Sequence, residues 1–102
     1  MTLRLYDTAR RAVVPFEPDE QVLMYTCGIT PYDATHVGHA ATFINYDVLQ
    51  RRLIDKGHTV RCVRNVTDVD DPLFANAREL GVHYLDLAAG EEARFERDME
   101  AL

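Results

Sequence analysis

Residues 24–42 read MYTCGITPYDATHVGHAAT, and this stretch decides how the rest of the chain is organised. An apolar run is followed by Cys27, and a turn-rich loop is expected from Cys27 to His36. Two histidines, His36 and His39, then flank Gly38 where a helix is expected to begin. The remaining residues are interpreted as the scaffold that positions this stretch.

The surrounding sequence predicts a strand, a long helix and a second strand. Residues 21–26 form a nearly continuous apolar run, as expected for a strand buried on both faces. Helical spacing begins near residue 38 and is expected to end at Gly57. Its apolar face is predicted to hold Ile44, Val48, Leu49 and Leu53. Residues 58–66 are the next predicted strand, so the unit is of the βαβ type and the sheet is parallel.

The outer segments add a hairpin and two more helices. Residues 3–6 and 12–16 are short predicted strands that pair as a hairpin. Asp70 or Asp71 is predicted to cap a helix that has Pro72 in its first turn and ends near Gly81. A last helical stretch covers residues 86–102. Its apolar face is predicted to hold Leu87, Glu91, Phe95, Met99 and Leu102.

Composition narrows the class of protein. The chain has 102 residues, of which 47% are hydrophobic, as in a soluble domain with one core. Its apolar runs are far shorter than a membrane span, and residues 1–11 lack the apolar core of a secretory signal, so we predict a cytoplasmic location and no membrane partner. The net charge of −6 argues against a surface that grips nucleic acid. In a reducing compartment, Cys27 and Cys62 suit a ligand and a buried thiol better than a disulfide.

The predicted topology places a nucleotide site at one edge of the sheet. The loop after the first strand and the segment after the second leave the carboxyl ends of neighbouring parallel strands, so both should face one crevice. The helix near Gly38 offers free N–H groups and a partial positive charge to an anion. His36 and His39 can donate hydrogen bonds to phosphate oxygens, and Gly38 leaves room for a flat ligand ring. The stretch contains neither a Walker A motif nor a G-x-G-x-x-G fingerprint.

Each of these residues also has a purely structural interpretation. Cys27 alone would be a small buried side chain, and the two motif histidines would be a helix cap and a surface residue. His58 and His83 follow no ligand pattern. The carboxylates before Pro72 are interpreted as helix caps in preference to a magnesium site; they are Asp68, Asp70 and Asp71.

The motifs favour the functional interpretation because they resemble a known family. HVGH at residues 36–39, after CGIT and before a long helix, resembles the HIGH signature of class I aminoacyl-tRNA synthetases. Together with VRNVTDVDDPL at residues 63–73, it is similar to the cysteine-activating branch. The resemblance covers residues 2–102 and corresponds to the opening quarter of such an enzyme. It implies a Rossmann-like (HUP-type) parallel α/β sheet, with residues 1–102 forming an incomplete nucleotide-binding catalytic domain.

The resemblance also implies a set of site residues. Cys27 would be a thiolate ligand of Zn²⁺, and His36 and His39 would be the catalytic residues that contact the phosphates of ATP–Mg²⁺. Thr30 and Thr67 would hold the cysteine moiety, Thr42 would lie by the nucleotide, and Asn65 would lie near the cysteinyl-adenylate. The full cofactor-binding set implied is Cys27, Gly28, Ile29, Thr30, Gly38, Thr42, Asn65, Val66 and Thr67.

Within this branch the acceptor is either tRNA or an amino sugar. Cysteinyl-tRNA synthetases usually carry an arginine where HAAT has Ala41. The loop ITPYDATH also looks more like the mycothiol-pathway ligase, which joins cysteine to glucosaminyl-inositol, at Pro31, Ala34 and Thr35. We therefore favour activation of L-cysteine to cysteinyl-AMP and transfer to an amino sugar. The alternatives are a cysteine–tRNA ligase segment and a nucleotide-binding module or remnant without activity.

Several parts that the family uses are absent from these residues. The further zinc ligands and the lysine-rich KMSKS-type loop of the family do not occur in the sequence. We expect the isolated chain to bind Zn²⁺ and ATP weakly and to make no cysteinyl-AMP. A complementing chain that carries the missing parts is then the expected protein partner.

Overall fold

The computed structural model describes residues 2–31, 33–34 and 36–102. The prediction that rests on Thr35 lies outside these ranges. Within them the chain forms, in order, β1 (Arg4–Asp7), β2 (Ala12–Pro15), β3 (Gln21–Ile29), α1 (Val37–Asp55), β4 (Thr59–Val66), α2 (Asp71–Leu80) and α3 (Tyr84–Glu100). In the described part of the chain, no helix has the length and apolar character needed to cross a bilayer.

The four strands form two separate pairs. The β1 and β2 strands pair antiparallel, which confirms the predicted hairpin. The β3 and β4 strands pair in parallel, from Gln21 opposite Thr59 to Thr26 opposite Arg64, which confirms the parallel sheet. The prediction that a loop begins at Cys27 is wrong, because β3 continues to Ile29.

One face of the β3–β4 pair packs against helices. Val22 and Thr26 are buried on this face. Phe43 of α1 meets Phe95 of α3 edge to face, with ring centroids 5.0 Å apart, an arrangement that suits aromatic quadrupoles. The prediction that β3 is buried on both faces is wrong, because Leu23 is 74% exposed and Tyr25 is 67% exposed. No described helix covers that side of the strand.

The buried stripe of α1 differs from the predicted one. Leu53 is buried, as predicted, and so is Phe43, whereas Ile44 and Val48 are exposed. The helix is apolar on more than one side, so spacing alone does not select the stripe that packs. The sheet and α3 select it by contacting the side that carries Phe43.

The helix boundaries follow the predicted signals closely. Gly57, with φ 95°, follows α1, and Asp70 caps α2 with Pro72 in the first turn and Gly81 in the left-handed region. These glycines supply the positive φ that ends a helix. The last helix begins at Tyr84, two residues before the predicted start, because the His83 ring accepts the Leu85 N–H as an N-cap. The helix ends at Glu100, so the prediction that it reaches Leu102 is wrong, and Leu102 is exposed.

Candidate active site

The carboxyl end of β3 contains a β-bulge. Pairing with β4 is regular up to Thr26 and resumes at Ile29, so Cys27 and Gly28 lie against the single residue Asn65. We call Cys27 and Gly28 the bulge. A bulge bends its strand and interrupts the regular alternation of side chains, and Cys27 lies at this irregularity.

Asn65 closes the bulge with three side-chain hydrogen bonds. Its Oδ1 accepts from the Gly28 N–H at 2.9 Å and from the Tyr25 hydroxyl at 3.1 Å. Its Nδ2 donates to Thr67 Oγ1 at 3.1 Å. A Cβ on residue 28 would overlap the Asn65 carbonyl oxygen. The strands therefore approach this closely only because residue 28 is a glycine.

The loop after β3 is tied to the segment after β4. The Thr67 N–H donates to the Ile29 carbonyl at 2.8 Å. The Thr30 hydroxyl donates to Asp70 Oδ2 at 3.4 Å, and Asp70 also caps α2. Thr30 and Thr67, which the resemblance assigns to the cysteine moiety, therefore lie at the same edge of the sheet, as the topology predicts.

His36 and His39 form a reciprocal cap on α1. His36 Nδ1 accepts the Gly38 N–H at 3.0 Å, and His39 Nδ1 accepts the His36 N–H at 3.2 Å. The two rings stack with centroids 3.9 Å apart. The prediction that the N–H groups at the helix start are free is wrong at Gly38, because this N–H already donates a hydrogen bond to the His36 ring.

This cap determines which nitrogen of each ring remains available to a ligand. A ring nitrogen that accepts an N–H must carry its lone pair, so the neutral ring holds its proton on Nε2. His36 is exposed and His39 is half-buried. The pair can therefore donate two Nε2–H hydrogen bonds to an anion at the positive end of α1.

The cap predicts a specific pH dependence. Burial, followed by the charge of the neighbouring His36 ring, lowers the pKa of His39 below its usual value of 6.5. The unfolded chain then binds this proton more readily than the folded chain, so the cap loses stability as the pH falls below about 6.5. We expect an NMR titration of His39 to show a midpoint below 6.5, and the His36→Ala variant to raise it. Equal midpoints in both proteins would contradict this electrostatic coupling.

Gly38 and Thr42 lie one turn apart at the start of α1. A Cβ on Gly38 would come within 2.8 Å of the His36 ring. We predicted that Gly38 leaves room for a flat ligand ring. In the structure the His36 side chain fills that space. Thr42 Oγ1 donates to the Gly38 carbonyl at 3.0 Å and is exposed on the same helix.

The two cysteines have different environments. Cys27 is an exposed free thiol. Cys62 is free and half-buried, with its Sγ 4.0 Å from Thr26 Oγ1, in keeping with its interpretation as a core thiol. Residues 2–31, 33–34 and 36–102 contain no group of three or more histidine, cysteine or acidic side chains arranged to hold a metal ion. Among the contacts of these ranges, none joins Cys27 to the His36–His39 pair, so their shared cleft stays a prediction.

Sequence reasoning missed two contributors to this edge of the sheet. Tyr25 was assigned to a buried strand, yet its hydroxyl donates a hydrogen bond to Asn65 Oδ1. Asp70 was predicted as a helix cap but not as the partner of Thr30. The available signal for Tyr25 was its position two residues before Cys27, because alternate strand residues share a face.

The class of protein follows from comparison with known families. The family model described as "tRNA synthetases class I (C) catalytic domain" matches residues 13–102. Because this match includes most of the chain, the protein belongs to that family. The predicted fold class, the N-terminal part of a class I synthetase catalytic domain, is confirmed.

Individual relatives that match nearly the whole chain are ligases whose names include L-cysteine. The chain is 60% identical over 100 residues to the L-cysteine:1D-myo-inositol 2-amino-2-deoxy-alpha-D-glucopyranoside ligases of Mycobacterium ulcerans (strain Agy99) and Mycobacterium marinum (strain ATCC BAA-535 / M). It is 54% identical over 100 residues to the ligase of the same name from Mycobacterium tuberculosis (strain ATCC 25177 / H37Ra). These matches include 98% of this chain but only 24% of each relative. The predicted resemblance to the cysteine-activating branch is confirmed. The chain corresponds to an N-terminal segment of these relatives and spans about a quarter of their length.

Proposed function

We propose that this chain forms the nucleotide-binding part of an enzyme that activates L-cysteine with ATP and transfers it to an amino sugar. The observation that carries this proposal is the 60% identity to ligases named for cysteine and an inositol-linked amino sugar. In the proposed reaction the cysteine carboxylate attacks the α-phosphate of ATP. Cysteinyl-AMP forms and pyrophosphate leaves, and the amine of the sugar then takes the cysteinyl group from AMP.

The cap on α1 supports the phosphate-binding part of this proposal. The Nε2–H groups of His36 and His39 donate to phosphate oxygens, and the helix dipole adds a positive potential at the same place. Such preorganised donors stabilise charge that grows on the α-phosphate during transfer. Gly38, whose N–H is part of the cap, and Thr42, one turn further along α1, complete the nucleotide side of the proposed site, and Mg²⁺ enters with ATP.

The strand ends support the amino-acid part. Thr30 and Thr67 provide hydroxyl groups for the cysteine moiety of the adenylate. The neighbouring backbone at Ile29 and Val66 and the amide of Asn65 complete the pocket wall. In this proposal the bulge at Gly28 brings the β3 backbone close enough to share that wall.

The zinc proposal concerns Cys27. An exposed thiol at the end of β3 fits one position of a tetrahedral zinc site, and the other ligands would come from outside the described residues. Bound Zn²⁺ would hold the substrate as its thiolate and so favour cysteine over serine. The cytoplasmic location, the incomplete domain and the complementing chain stay predictions from the sequence.

The second candidate acceptor is tRNA. It is favoured by the family description, which names tRNA synthetases. The net charge of −6 favours the small amino sugar, because a surface that binds a phosphate backbone is usually basic. Ala41, which replaces the usual arginine of the tRNA enzymes, favours the amino sugar as well.

The test uses a chimera in which these 102 residues replace the matching 24% of the Mycobacterium ulcerans ligase. We expect cysteine-dependent ATP–pyrophosphate exchange from the chimera and none above background from the isolated chain. Adding the amino sugar should release AMP, whereas adding tRNA should not. AMP release with tRNA alone would support the second candidate. A folded chimera that binds ATP but shows no exchange would favour a non-catalytic module.

A further inference from the structure

One hydrogen bond at the bulge in β3 comes from Tyr25, a side chain to which no role has been assigned so far. Tyr25 is 67% exposed, and no described helix covers its side of the strand. Its hydroxyl nevertheless donates to Asn65 Oδ1 at 3.1 Å. A tyrosine hydroxyl in an exposed position gains little by bonding protein in place of water. The geometry of this bond therefore points to a role at the bulge.

We propose that Tyr25 is a positioning residue that sets the direction of Cys27 by fixing the amide of Asn65. The bond from Tyr25 marks Oδ1 as the oxygen that faces β3, and the same oxygen accepts the Gly28 N–H at 2.9 Å. The amide nitrogen is then directed to Thr67 Oγ1 at 3.1 Å. One hydroxyl thus orients an amide that holds both halves of the predicted cysteine pocket.

The contacts at Gly28 explain why this orientation matters. The backbone of Gly28 lies so close to Asn65 that no side chain would fit between them. If the Asn65 amide rotated by half a turn, its NH₂ group would face the Gly28 N–H, and two donors would oppose each other. The bulge would then relax, and Cys27, the other residue of the bulge, would change direction. This inference rests on the proposed function only where it gives the direction of the Cys27 side chain a functional role.

The first test measures the bulge in the 102-residue chain itself. Tyr25→Phe removes only the hydroxyl, and we expect amide hydrogen exchange at Gly28 to become about 3- to 10-fold faster, as loss of one ordinary hydrogen bond predicts. The matched control is Tyr6→Phe, since Tyr6 has a similar exposure of 63% and lies on the separate β1–β2 hairpin. Unchanged exchange at Gly28 in Tyr25→Phe would overturn the proposal.

The second test asks whether Tyr25 acts through Asn65. In an Asn65→Ala background, Tyr25→Phe should have no further effect on Gly28 exchange. In an Asn65→Asp background, which keeps an oxygen acceptor, Tyr25→Phe should still accelerate exchange. Full additivity of Tyr25→Phe with Asn65→Ala would overturn the proposal, because Tyr25 would then act independently of the amide. If Asn65→Ala fails to fold, Asn65→Leu, which removes the acceptor and keeps the side-chain bulk, takes its place in the same comparison.

The third test separates positioning from general stability. In the chimera, Tyr25→Phe should raise KM for cysteine by about 3- to 10-fold and leave KM for ATP within about twofold, because only the cysteine side of the site moves. Equal increases in both constants would contradict a positioning role. If the chimera has no activity at all, the proposed function fails, while the exchange measurements on the chain still decide the role of Tyr25.

Discussion

Gly28→Ala is expected to destabilise the chain by about 3 kcal/mol, because the new methyl group has no space and the strands must separate. The Cβ would overlap the carbonyl oxygen of Asn65, which is backbone and cannot rotate away as a flexible side chain could. Separation would also break the bond from the Gly28 N–H to Asn65 Oδ1, which measures 2.9 Å. We expect thermal unfolding, followed by circular dichroism, to show a midpoint at least about 10 °C lower.

The matched control for this variant is Gly90→Ala. Gly90 lies within α3, and a Cβ there would meet no atom within 4 Å. Alanine is preferred over glycine in a helix interior by about 0.5–1 kcal/mol, so this variant should be more stable than the original chain. The same chemical change is thus expected to have opposite signs at the two positions. Equal effects of the two substitutions would show that β3 and β4 do not approach as described.

The sequence predicts the local features of this fold well. The cap at Asp70, the proline after it and the glycines at 57 and 81 act through a few neighbouring residues, and all of them lie where predicted. The strand–helix–strand order is also predicted from local signals, since strands and helices each have their own spacing of apolar residues. It was enough to predict that β3 and β4 pair in parallel.

Burial is where prediction from this sequence fails. Leu23 and Val48 are as apolar as residues of a core, yet they are 74% and 58% exposed. Whether such a side chain is buried depends on which distant element packs against it, and spacing within one strand or helix does not contain that information. The bulge is hidden for the same reason, because it becomes visible only when β3 is set against β4. Gly28 was predicted to lie after the strand, in the loop, whereas in the structure it lies inside β3, where a glycine often marks a bulge.

The histidines show that a structural role of a motif does not exclude a functional one. Their structural interpretation was a helix cap and a surface residue, and in the structure both rings cap α1 through their Nδ1 atoms. Because the cap uses the Nδ1 atoms, the Nε2–H group of each neutral ring is not needed for the cap and can serve as a donor. A motif of polar residues at a helix start is therefore compatible with a structural and a catalytic role at once, and the geometry of the cap supplies the donors.

The largest functional effect is expected from Cys27→Ser. A hydroxyl is a far poorer zinc ligand than a thiolate, since zinc favours sulfur and a serine hydroxyl stays protonated near neutral pH. In the proposed zinc site, this substitution would remove the metal–sulfur interaction by which the enzyme is proposed to favour cysteine over serine. We expect kcat/KM for cysteine in the chimera to fall by at least about 100-fold, with zinc content reduced in parallel.

Cys62→Ser provides the matched control, because it makes the same change in a half-buried thiol on β4, opposite Met24 in the regularly paired part of the sheet. Cysteine-dependent ATP–pyrophosphate exchange by these two variants, measured side by side in the chimera, tests most directly whether Cys27 belongs to a cysteine-activating site. We predict near-complete loss of exchange for Cys27→Ser and activity within about threefold of the parent for Cys62→Ser. Equal exchange rates for the two variants would contradict the assignment of Cys27 to that site.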